Sequence, residues 1–321
     1  MAGFPQELSL ALEALMTGRD GAKLERDAKA ISENYRMRTG AGKRLLTREG
    51  EAAAYAASRM PATFAAAQQA LLWALDCAGV KIASLLDCGA GTGAVSWAAD
   101  SLLELERVTC LEREAAMRTV GSALMRAGEG ALAAAAWQEW DALSEDELPR
   151  ADLVCEGYML GELSESDRLP AAERLFAAAD KMALFIEPGT PQGYANLAAV
   201  RKHLAGQGAH VAAPCPAGAQ DCPMAGEDWC HFTVRVQRTK LHKQLKGGDA
   251  PYEDEKFCFL ALTKEAPEAA CGARVLRHPL IAPGRITLTL CESGAVQNRV
   301  VTKKDPLWKQ ARKIHAGDSL K

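Results

Sequence analysis

Apolar residues recur at helical spacing through the first part of the chain. Glu7 to Met16 has amphipathic spacing, and the alanine-rich stretch from Glu51 to Ser58 is also typical of a helix. Pro61 stands where a further helix could begin, and apolar residues continue from there to Leu75. These patterns predict a helical region over residues 1–78.

From about residue 81, short apolar runs alternate with helical segments. Helices are predicted from about residue 94, over 114–127 and over 194–204. Strands that alternate with helices predict an α/β fold with a parallel, Rossmann-like sheet, here over residues 79–210. For 211–321 we expect a cysteine-containing insertion, strands that complete the sheet, and a basic tail. The predicted strands are 82–86, 107–111, 151–155, 182–186, 257–262 and 286–290.

Composition is that of an ordinary globular protein. The 321 residues are 48% hydrophobic and 25% charged, and the length allows one large domain or two. The net charge of −3 argues against a protein that is basic all over, although charge can be segregated on the surface. The first residues lack the pattern of a signal or transit peptide, from which we expect a cytoplasmic protein.

The chain contains ten cysteines. Without an export signal, disulfides are not expected. Four cysteines lie in or beside apolar strand-like runs and are predicted to be buried thiols; they are Cys88, Cys110, Cys155 and Cys258.

A glycine-rich turn joins the first predicted strand to its helix. Residues 85–93 read LLDCGAGTG, in which Asp87 ends the strand and Gly89, Ala90, Gly91 and Gly93 form the turn. Glycines let the backbone turn tightly and approach a ligand closely, and the helix N-terminus supplies unpaired N–H groups. A tight strand–helix turn without a ligand is the structural alternative.

Two further acids extend this candidate site. Glu112 ends the next strand, where an acidic side chain can hold ribose hydroxyls, and Asp141, beyond the third strand, could lie beside an adenine. The combination resembles the S-adenosylmethionine (SAM) site of class I methyltransferases more than a nicotinamide site. Asp87, Gly89, Ala90, Gly91, Gly93, Glu112 and Asp141 are therefore the predicted cofactor-binding residues.

No catalytic residue can be assigned from the sequence. Amino-directed methyltransferases carry an Asn/Asp-Pro-Pro-aromatic tetrapeptide after the fourth strand, and here the chain reads Cys155-Glu156-Gly157-Tyr158-Met159. Cys155 is interpreted as core rather than as a nucleophile. The segment Glu187-Pro188-Gly189 could line a substrate pocket.

Three cysteines lie in an irregular, proline-rich stretch that we call the cysteine segment (residues 211–232). Cys215, Cys222 and Cys230 are too widely spaced for a CxxC pair, but they can converge on one ion or cluster. A closed site needs a fourth ligand; Cys291, at the end of a predicted strand, is the first choice and Cys271 the second. Spacing leaves both zinc and an iron–sulfur cluster open.

A basic run follows the cysteine segment. It contains Arg235, Arg238, Lys240, Lys243 and Lys246, and the alternatives are an exposed charged linker or a surface for nucleic-acid phosphates. A second polar stretch, residues 23–48, is interpreted as a solvated helical face or another such patch; its cations include Arg26, Arg36, Arg38, Lys43 and Arg44.

Several stretches together resemble the ribosomal small-subunit methyltransferase-like family, which comprises mitochondrial small-subunit assembly factors and their bacterial relatives. The most specific are Glu187-Pro188-Gly189-Thr190-Pro191 and residues 228–232, DWCHF. The full set of matching stretches is 55–64, 86–93, 151–154, 158–163, 186–191, 213–232 and 253–257.

The resemblance implies a class I methyltransferase fold in which Cys215, Cys222, Cys230 and Cys291 hold a [4Fe–4S] cluster. It further implies binding to the small ribosomal subunit and its rRNA during maturation, with rRNA methyl transfer as the activity to test. The alanine-rich composition favours a bacterial member, which we expect to be monomeric off the ribosome. The alternatives are a catalytically inactive assembly factor, or a zinc-containing methyltransferase acting on a protein or small molecule.

Overall fold

The computed structural model describes most of the chain. The described residues are 3–19, 21, 24, 26, 48–215, 222–224, 228–246, 249–267 and 271–320, without the side chains of residues 240, 245 and 246. Most of the predicted basic patch at residues 23–48 therefore lies outside the described residues.

The helices are α1 (Gln6–Met16), α2 (Glu49–Ala78), α3 (Ala94–Asp100), α4 (Ala115–Met125), α5 (Gly130–Ala133), α6 (Glu165–Ala178), α7 (Pro191–Gly206), α8 (Lys240–Lys246) and α9 (Trp308–Ala311). The strands are β1 (Ser84–Cys88), β2 (Arg107–Glu112), β3 (Ala136–Glu139), β4 (Ala151–Gly157), β5 (Ala179–Pro188), β6 (His210–Ala213), β7 (Phe232–Gln237), β8 (Tyr252–Thr263), β9 (Ala273–Val275), β10 (Leu280–Ala282), β11 (Arg285–Glu292), β12 (Ala295–Thr302) and β13 (Ser319–Leu320).

The larger sheet has the strand order β3-β2-β1-β4-β5-β8-β6, and β7 pairs with part of β8. Strands β1 to β5 are parallel, whereas β8 runs antiparallel to β5, β6 and β7. The predicted α/β fold with a parallel sheet is confirmed. The carboxyl ends of β1, β2 and β4 meet at one edge, so residues that follow these strands are brought together.

Helix α2 covers one face of this sheet. Trp73 packs against Phe232, Phe257 and Phe259, with ring centroids 5.2 to 6.1 Å apart. Each large apolar side chain buried in this way stabilises the fold by roughly 1.5–3 kcal/mol. Helices α6 and α7 cover the opposite face.

One predicted helix boundary is wrong. Pro61 does not begin a helix but lies inside α2, which continues from Glu49 to Ala78. Proline cannot donate the hydrogen bond of its own turn. The buried alanines on both sides, from Ala52 to Ala70, pack along the sheet and keep the two halves in one helix.

The last strands form a sheet of their own, which we call the C-terminal sheet (β9–β13, Ala273–Leu320). Strand β11 pairs antiparallel with β12 on one side and with β10 and β9 on the other. Val275, Leu288, Leu290 and Val301 are buried in its small core. Strands β6 and β8 thus complete the first sheet, whereas residues after 272 do not join it.

Among the helices within the described ranges, none is both long enough and apolar enough to cross a bilayer.

Candidate functional site

The glycine turn between β1 and α3 has the backbone conformation that its glycines allow. Gly89, Gly91 and Gly93 all have positive φ angles, of 69°, 56° and 85°. The N–H groups of Gly89 and Ala90 donate to the carbonyl of Leu111 at 2.8 and 3.0 Å, which ties the turn to β2. We call residues 89–93 the glycine loop.

Asp87 supports this loop from below. Its Oδ2 accepts from the backbone N–H of Ser96 at 3.1 Å and from the Ser96 hydroxyl at 2.6 Å. Burial raises the pKa of Asp87 to about 6, against the lowering effect of the Ser96 bonds. The other oxygen, Oδ1, is buried and has no hydrogen-bond partner among the described residues. Asp87 therefore fixes the start of α3 beneath the glycine loop.

Glu112 lies directly beside the glycine loop. Its Oε2 accepts from Gly91 N–H at 2.9 Å, and its Oε1 accepts from Glu114 N–H at 2.7 Å. Burial raises its pKa from the ordinary value. Asp141 is further out: it accepts from Leu143 N–H at 2.9 Å and lies 3.7 Å from the Arg113 guanidinium. The structure thus brings Glu112 to the glycine loop and leaves Asp141 at the rim.

Helix α2 forms a lid over the same edge. The Sδ of Met60 contacts the Thr92 hydroxyl at 3.8 Å. The preceding residue, Arg59, pairs with Glu255 at 3.0 Å, and Glu255 also accepts from the Tyr158 hydroxyl at 3.4 Å. Tyr158, the residue after β4, has a positive φ of 65°. We call Arg59, Tyr158 and Glu255 the polar lid; they come from three of the stretches that carry the family resemblance.

Three glutamates lie near the carboxyl ends of β4 and β5, and two of them, Glu156 and Glu187, are buried. Glu156 accepts from the backbone N–H groups of Met159, Leu160 and Ile186 at 3.1 to 3.4 Å. Glu187 accepts from Gly161 N–H at 3.1 Å. These two carboxylates hold the loop after β4.

Glu162, the third glutamate, lies in the loop after β4 and is partly buried. Burial, followed by repulsion from Glu112, raises its pKa to about 7. It is therefore a carboxyl that can carry or accept a proton near neutral pH, at the same edge of the sheet as the glycine loop.

Each of the four cysteines predicted as ligands lies close enough to at least one of the others to shift its pKa. The Cys215 thiol and the Tyr194 hydroxyl donate hydrogen bonds to the Cys222 sulfur. These bonds stabilise the Cys222 thiolate and lower the pKa of Cys222 to about 5. Burial and the nearby Cys222 and Cys291 raise the pKa of Cys230 to about 12. Burial, and then Cys222, also raises the pKa of Cys291. Within the ranges described, no three His, Cys, Asp or Glu side chains take up a metal-binding arrangement.

Two buried arginines adjoin these thiols. The positive charge of Arg201 opposes the rise in the pKa of Cys215 and Cys291 and adds to the lowering of the pKa of Cys222. Its Nε and Nη2 are buried without a hydrogen-bond partner among the described residues. Arg274 donates to the carbonyls of Pro214 at 2.9 Å and Gly317 at 2.5 Å. Such donors fit an anionic group held by the cysteines, because buried cationic donors without partners are costly.

The expectation that the chain has no disulfide is wrong. Cys77, at the end of α2, is bonded to Cys271, with Cα atoms 5.2 Å apart. The fold brings these residues together across 194 positions of sequence, which residue spacing does not reveal. Cys271, the second choice for a fourth ligand, is therefore engaged elsewhere. The remaining cysteines predicted as buried thiols, Cys88, Cys110, Cys155 and Cys258, are buried and free.

The basic run lies opposite acids. In the β7–β8 register Arg235 faces Asp254, with which it forms an ion pair at 2.9 Å. His242 lies 3.3 Å from Glu253. Lys243 is half-buried, Arg238 bonds through its backbone N–H to Pro251, and the side chains of Lys240 and Lys246 lie outside the described residues.

The sheet has the strand order of a class I, SAM-dependent methyltransferase fold, including the antiparallel β8. The glycine loop and the acid ending β2 are also features of that fold. Two solved structures similar to the chain are methyltransferases. Magnesium protoporphyrin IX methyltransferase from Synechocystis PCC 6803, with bound SAM, is 11% identical, with 83% of this chain and 100% of that chain covered and a TM-score of 0.42. Precorrin-6y C5,15-methyltransferase from Geobacter metallireducens is 19% identical over 61% and 85% of the two chains, with a TM-score of 0.37.

A model of the family described as mitochondrial small ribosomal subunit Rsm22 matches residues 49–321, and the chain belongs to this family. The human mitochondrial ribosome assembly protein METTL17 is 27% identical over an alignment of 314 positions that covers 91% of this chain and 67% of the human protein. The family resemblance stated from the sequence is confirmed.

The prediction of a bacterial, cytoplasmic protein is contradicted. Both the matching family and the human relative are described as mitochondrial. The prediction rested on alanine-rich composition and on the character of the first residues, and neither property reports the compartment in which a protein works.

Proposed function

We propose that this chain binds SAM at the glycine loop and acts in the maturation of the small ribosomal subunit. The observation that carries the cofactor assignment is the position of Glu112 beside Gly91. Each Glu112 oxygen accepts one backbone N–H, and a carboxylate offers about four acceptor sites, so both oxygens can still accept ribose hydroxyls. Asp141 at the rim is the candidate contact for the adenine.

Calorimetry with SAM tests this assignment. Glu112→Gln removes the charged acceptor and is expected to weaken binding by about tenfold, because a hydrogen bond to a charged group contributes roughly 1.5–3 kcal/mol. Glu139→Gln is the matched control: Glu139 is the residue paired with Glu112 on β3, and its side chain is 67% exposed. Equal affinity of wild type and Glu112→Gln, or no SAM binding by wild type, would contradict the assignment.

A [4Fe–4S] cluster held by Cys215, Cys222, Cys230 and Cys291 is the second part of the proposal. The donor set fits: four thiols influence one another's ionisation, and unpartnered donors of Arg201 face the anionic group that four thiolates would form. When bound, such a cluster would join the cysteine segment to β11. Zinc accepts the same four ligands and is the alternative.

Visible absorption spectra and iron, sulfide and zinc content of anaerobically purified protein separate the two metals. Cys222→Ser is expected to lose the cluster. Cys258→Ala is the matched control, because Cys258 donates to the Cys230 carbonyl at 3.1 Å but is not one of the four proposed ligands. Stoichiometric zinc without iron would overturn the cluster assignment, and unchanged metal content in Cys222→Ser would remove that residue from the ligand set.

The partner proposed for the chain is the small ribosomal subunit through its rRNA. The name of the human relative, a ribosome assembly protein, and the family description support this. Arg235, Arg238, Lys240, Lys243 and Lys246 remain candidate contacts, although Arg235 would have to leave Asp254. Co-sedimentation with purified small subunits tests the partner, and sedimentation of the free protein tests the proposed monomer. Failure to co-sediment with small subunits at low salt would overturn the proposed partner.

A second candidate function is an assembly factor that binds SAM without transferring its methyl group. The observation that favours it is that residues 156–159 read EGYM, where amino-directed methyltransferases carry an Asn/Asp-Pro-Pro-aromatic tetrapeptide. Incubation with radiolabelled SAM and small subunits from cells that lack the protein distinguishes the two. Label in rRNA that Glu112→Gln fails to incorporate would establish the enzyme; no label despite SAM binding would establish the assembly factor.

A further inference from the structure

Positive charge is concentrated in the last part of the chain. Residues 273–321 contain ten Lys and Arg against three Asp and Glu, whereas the whole chain contains 38 against 41. A net charge of +7 in this part therefore sits within a chain of net charge −3. Such segregation of positive charge is typical of a surface that binds a polyanion.

Most of the ten cations in this part are exposed, although Arg274 is buried and Arg277 pairs with Asp228. Six of them have exposed side chains and take part in no ion pair among the residues that the structure describes; they are Arg285, Lys303, Lys304, Lys309, Arg312 and Lys313. The basic run differs, since Arg235 pairs with Asp254 and His242 lies beside Glu253. The C-terminal cations can therefore bind an external anion without giving up an internal partner.

The fold gathers these six cations beside one end of the β11–β12 hairpin. Arg285 pairs with Thr302 in the sheet register, and Lys303 and Lys304 follow Thr302 directly. The next helical turn, α9, carries Lys309, and the backbone bond from Arg312 N–H to the Trp308 carbonyl continues the turn to its last cations. Because Leu307 and Trp308 pack on the core of the C-terminal sheet, this turn has a fixed place beside the hairpin.

An apolar row lies next to the cations on the same sheet. Leu280 and Val300 both pair with Thr287, and they are 71% and 54% exposed. Ile281 is 75% exposed, but it lies on the opposite face of β10, where it pairs with Ile286. An open apolar row beside exposed cations can pack against the sugars and unpaired bases of a bound strand.

We infer that the C-terminal sheet is an RNA-binding surface on which Arg285, Lys303, Lys304, Lys309, Arg312 and Lys313 contact phosphates. Six long cations, none of them locked in an ion pair, fit the repeated charge of a phosphodiester backbone and give affinity without reading sequence. This inference rests on the proposed rRNA partner and names the surface that meets it, which differs from the basic run after the cysteine segment.

Binding of a fluorescently labelled fragment of small-subunit rRNA, titrated over a range of salt concentrations, tests the inference. The variant is Lys303→Gln/Lys304→Gln/Lys309→Gln. The control removes three exposed cations on other elements, as Lys81→Gln/Arg126→Gln/Lys202→Gln. Since the substituted side chains are exposed, unchanged circular dichroism and thermal unfolding are expected for both.

The variant is expected to bind about 10- to 100-fold more weakly at about 0.1 M salt, and its dependence of log K on log salt should be shallower by about 2. The control is expected to stay within about twofold of wild type. Wild-type affinity and slope in the variant, or an equal loss in variant and control, would overturn the inference while leaving the rRNA partner in place. Absence of RNA binding by wild type would instead overturn the proposed function itself.

Co-sedimentation with intact small subunits covers a different partner. If the variant loses the subunits but binds protein-free rRNA as wild type does, the surface meets an acidic ribosomal protein, and the RNA assignment is wrong.

Discussion

Asp87 offers a direct test of how the glycine loop is supported. Its carboxyl group is fully buried, and Oδ2 accepts two hydrogen bonds from Ser96 while Oδ1 accepts none from the described residues. Burial is the largest cause of its raised pKa, about 6 instead of 3.8. The perturbation is Asp87→Asn, which keeps the size and an acceptor for Ser96 but removes the charge.

The sign of the effect follows from proton linkage. Because the folded state holds the Asp87 proton up to about pH 6 and the unfolded state releases it near 3.8, the folded state binds more protons between these values. The wild type therefore loses stability as pH rises through this window. A shift of about 2 pKa units at 1.36 kcal/mol each corresponds to about 3 kcal/mol. Asp87→Asn lacks this loss, so relative to wild type it should gain most of that amount between about pH 4 and about pH 7.5.

Urea unfolding of the ligand-free protein at several pH values in this range measures the difference. Asp146→Asn is the control, since it removes one carboxylate at an exposed position and leaves the glycine loop untouched. If the Asp87→Asn difference is constant with pH, Asp87 ionises equally easily in the folded and unfolded states, and the reasoning from burial is refuted.

Four further substitutions, in three experiments, test the packing around the candidate site. Gly89→Ala would place a Cβ 2.9 Å from the methionine sulfur above the loop at a φ of +69°, and is expected to destabilise the protein by about 1–3 kcal/mol in thermal unfolding. Arg59→Gln and Glu255→Gln, alone and together, should show a coupling of about 1 kcal/mol in denaturant unfolding, since the pair is only partly exposed. Gly317→Ala would bring a Cβ to 1.9 Å from the Trp73 ring and should cost about 3 kcal/mol or more, measured by the fall in Tm.

Each of these has its own control. Replacement of Met159 by Ala should rescue Gly89→Ala in part, and no rescue would mean that the φ angle rather than the contact causes the loss. Zero coupling between Arg59 and Glu255 would show a solvated pair. Gly206→Ala, at a helical position with nothing within 4 Å, should be neutral or slightly stabilising.

The glycine loop could be predicted because its signal is local. The glycines that need positive φ, the acid ending β1 and the acid ending β2 stand within 26 residues, between Asp87 and Glu112, and a strand–turn–helix unit determines their arrangement. The alternation of apolar and helical segments likewise predicted β1, β2, β4 and β5. The strand order across β8 and the separate C-terminal sheet could not be predicted, because both depend on contacts between residues that are far apart in the sequence.

The polar lid and the disulfide show what sequence reasoning missed. Arg59 and Glu255 are 196 positions apart, and Tyr158 and Glu255 are 97 apart. The only signal for them was that all three fell in stretches matching the family. Cys77 had no such signal, because an alanine-rich helix gives no reason to single out one cysteine near its end.

The larger sheet and the C-terminal sheet approach each other near the cysteines, and Arg274 contacts residues on both sides. It lies opposite Cys291 in the β9–β11 register, donates to the Pro214 carbonyl beside Cys215, and contacts both sulfurs of the Cys77–Cys271 disulfide at 3.3 Å. One buried guanidinium thus contacts the end of α2, the start of the cysteine segment and the C-terminal sheet. Burying a cation in this way is unfavourable unless its donors are satisfied and anionic groups are near. The proposed cluster with four thiolate ligands would supply that negative charge, and Arg274 together with the four cysteines would then hold the C-terminal sheet against the α/β fold.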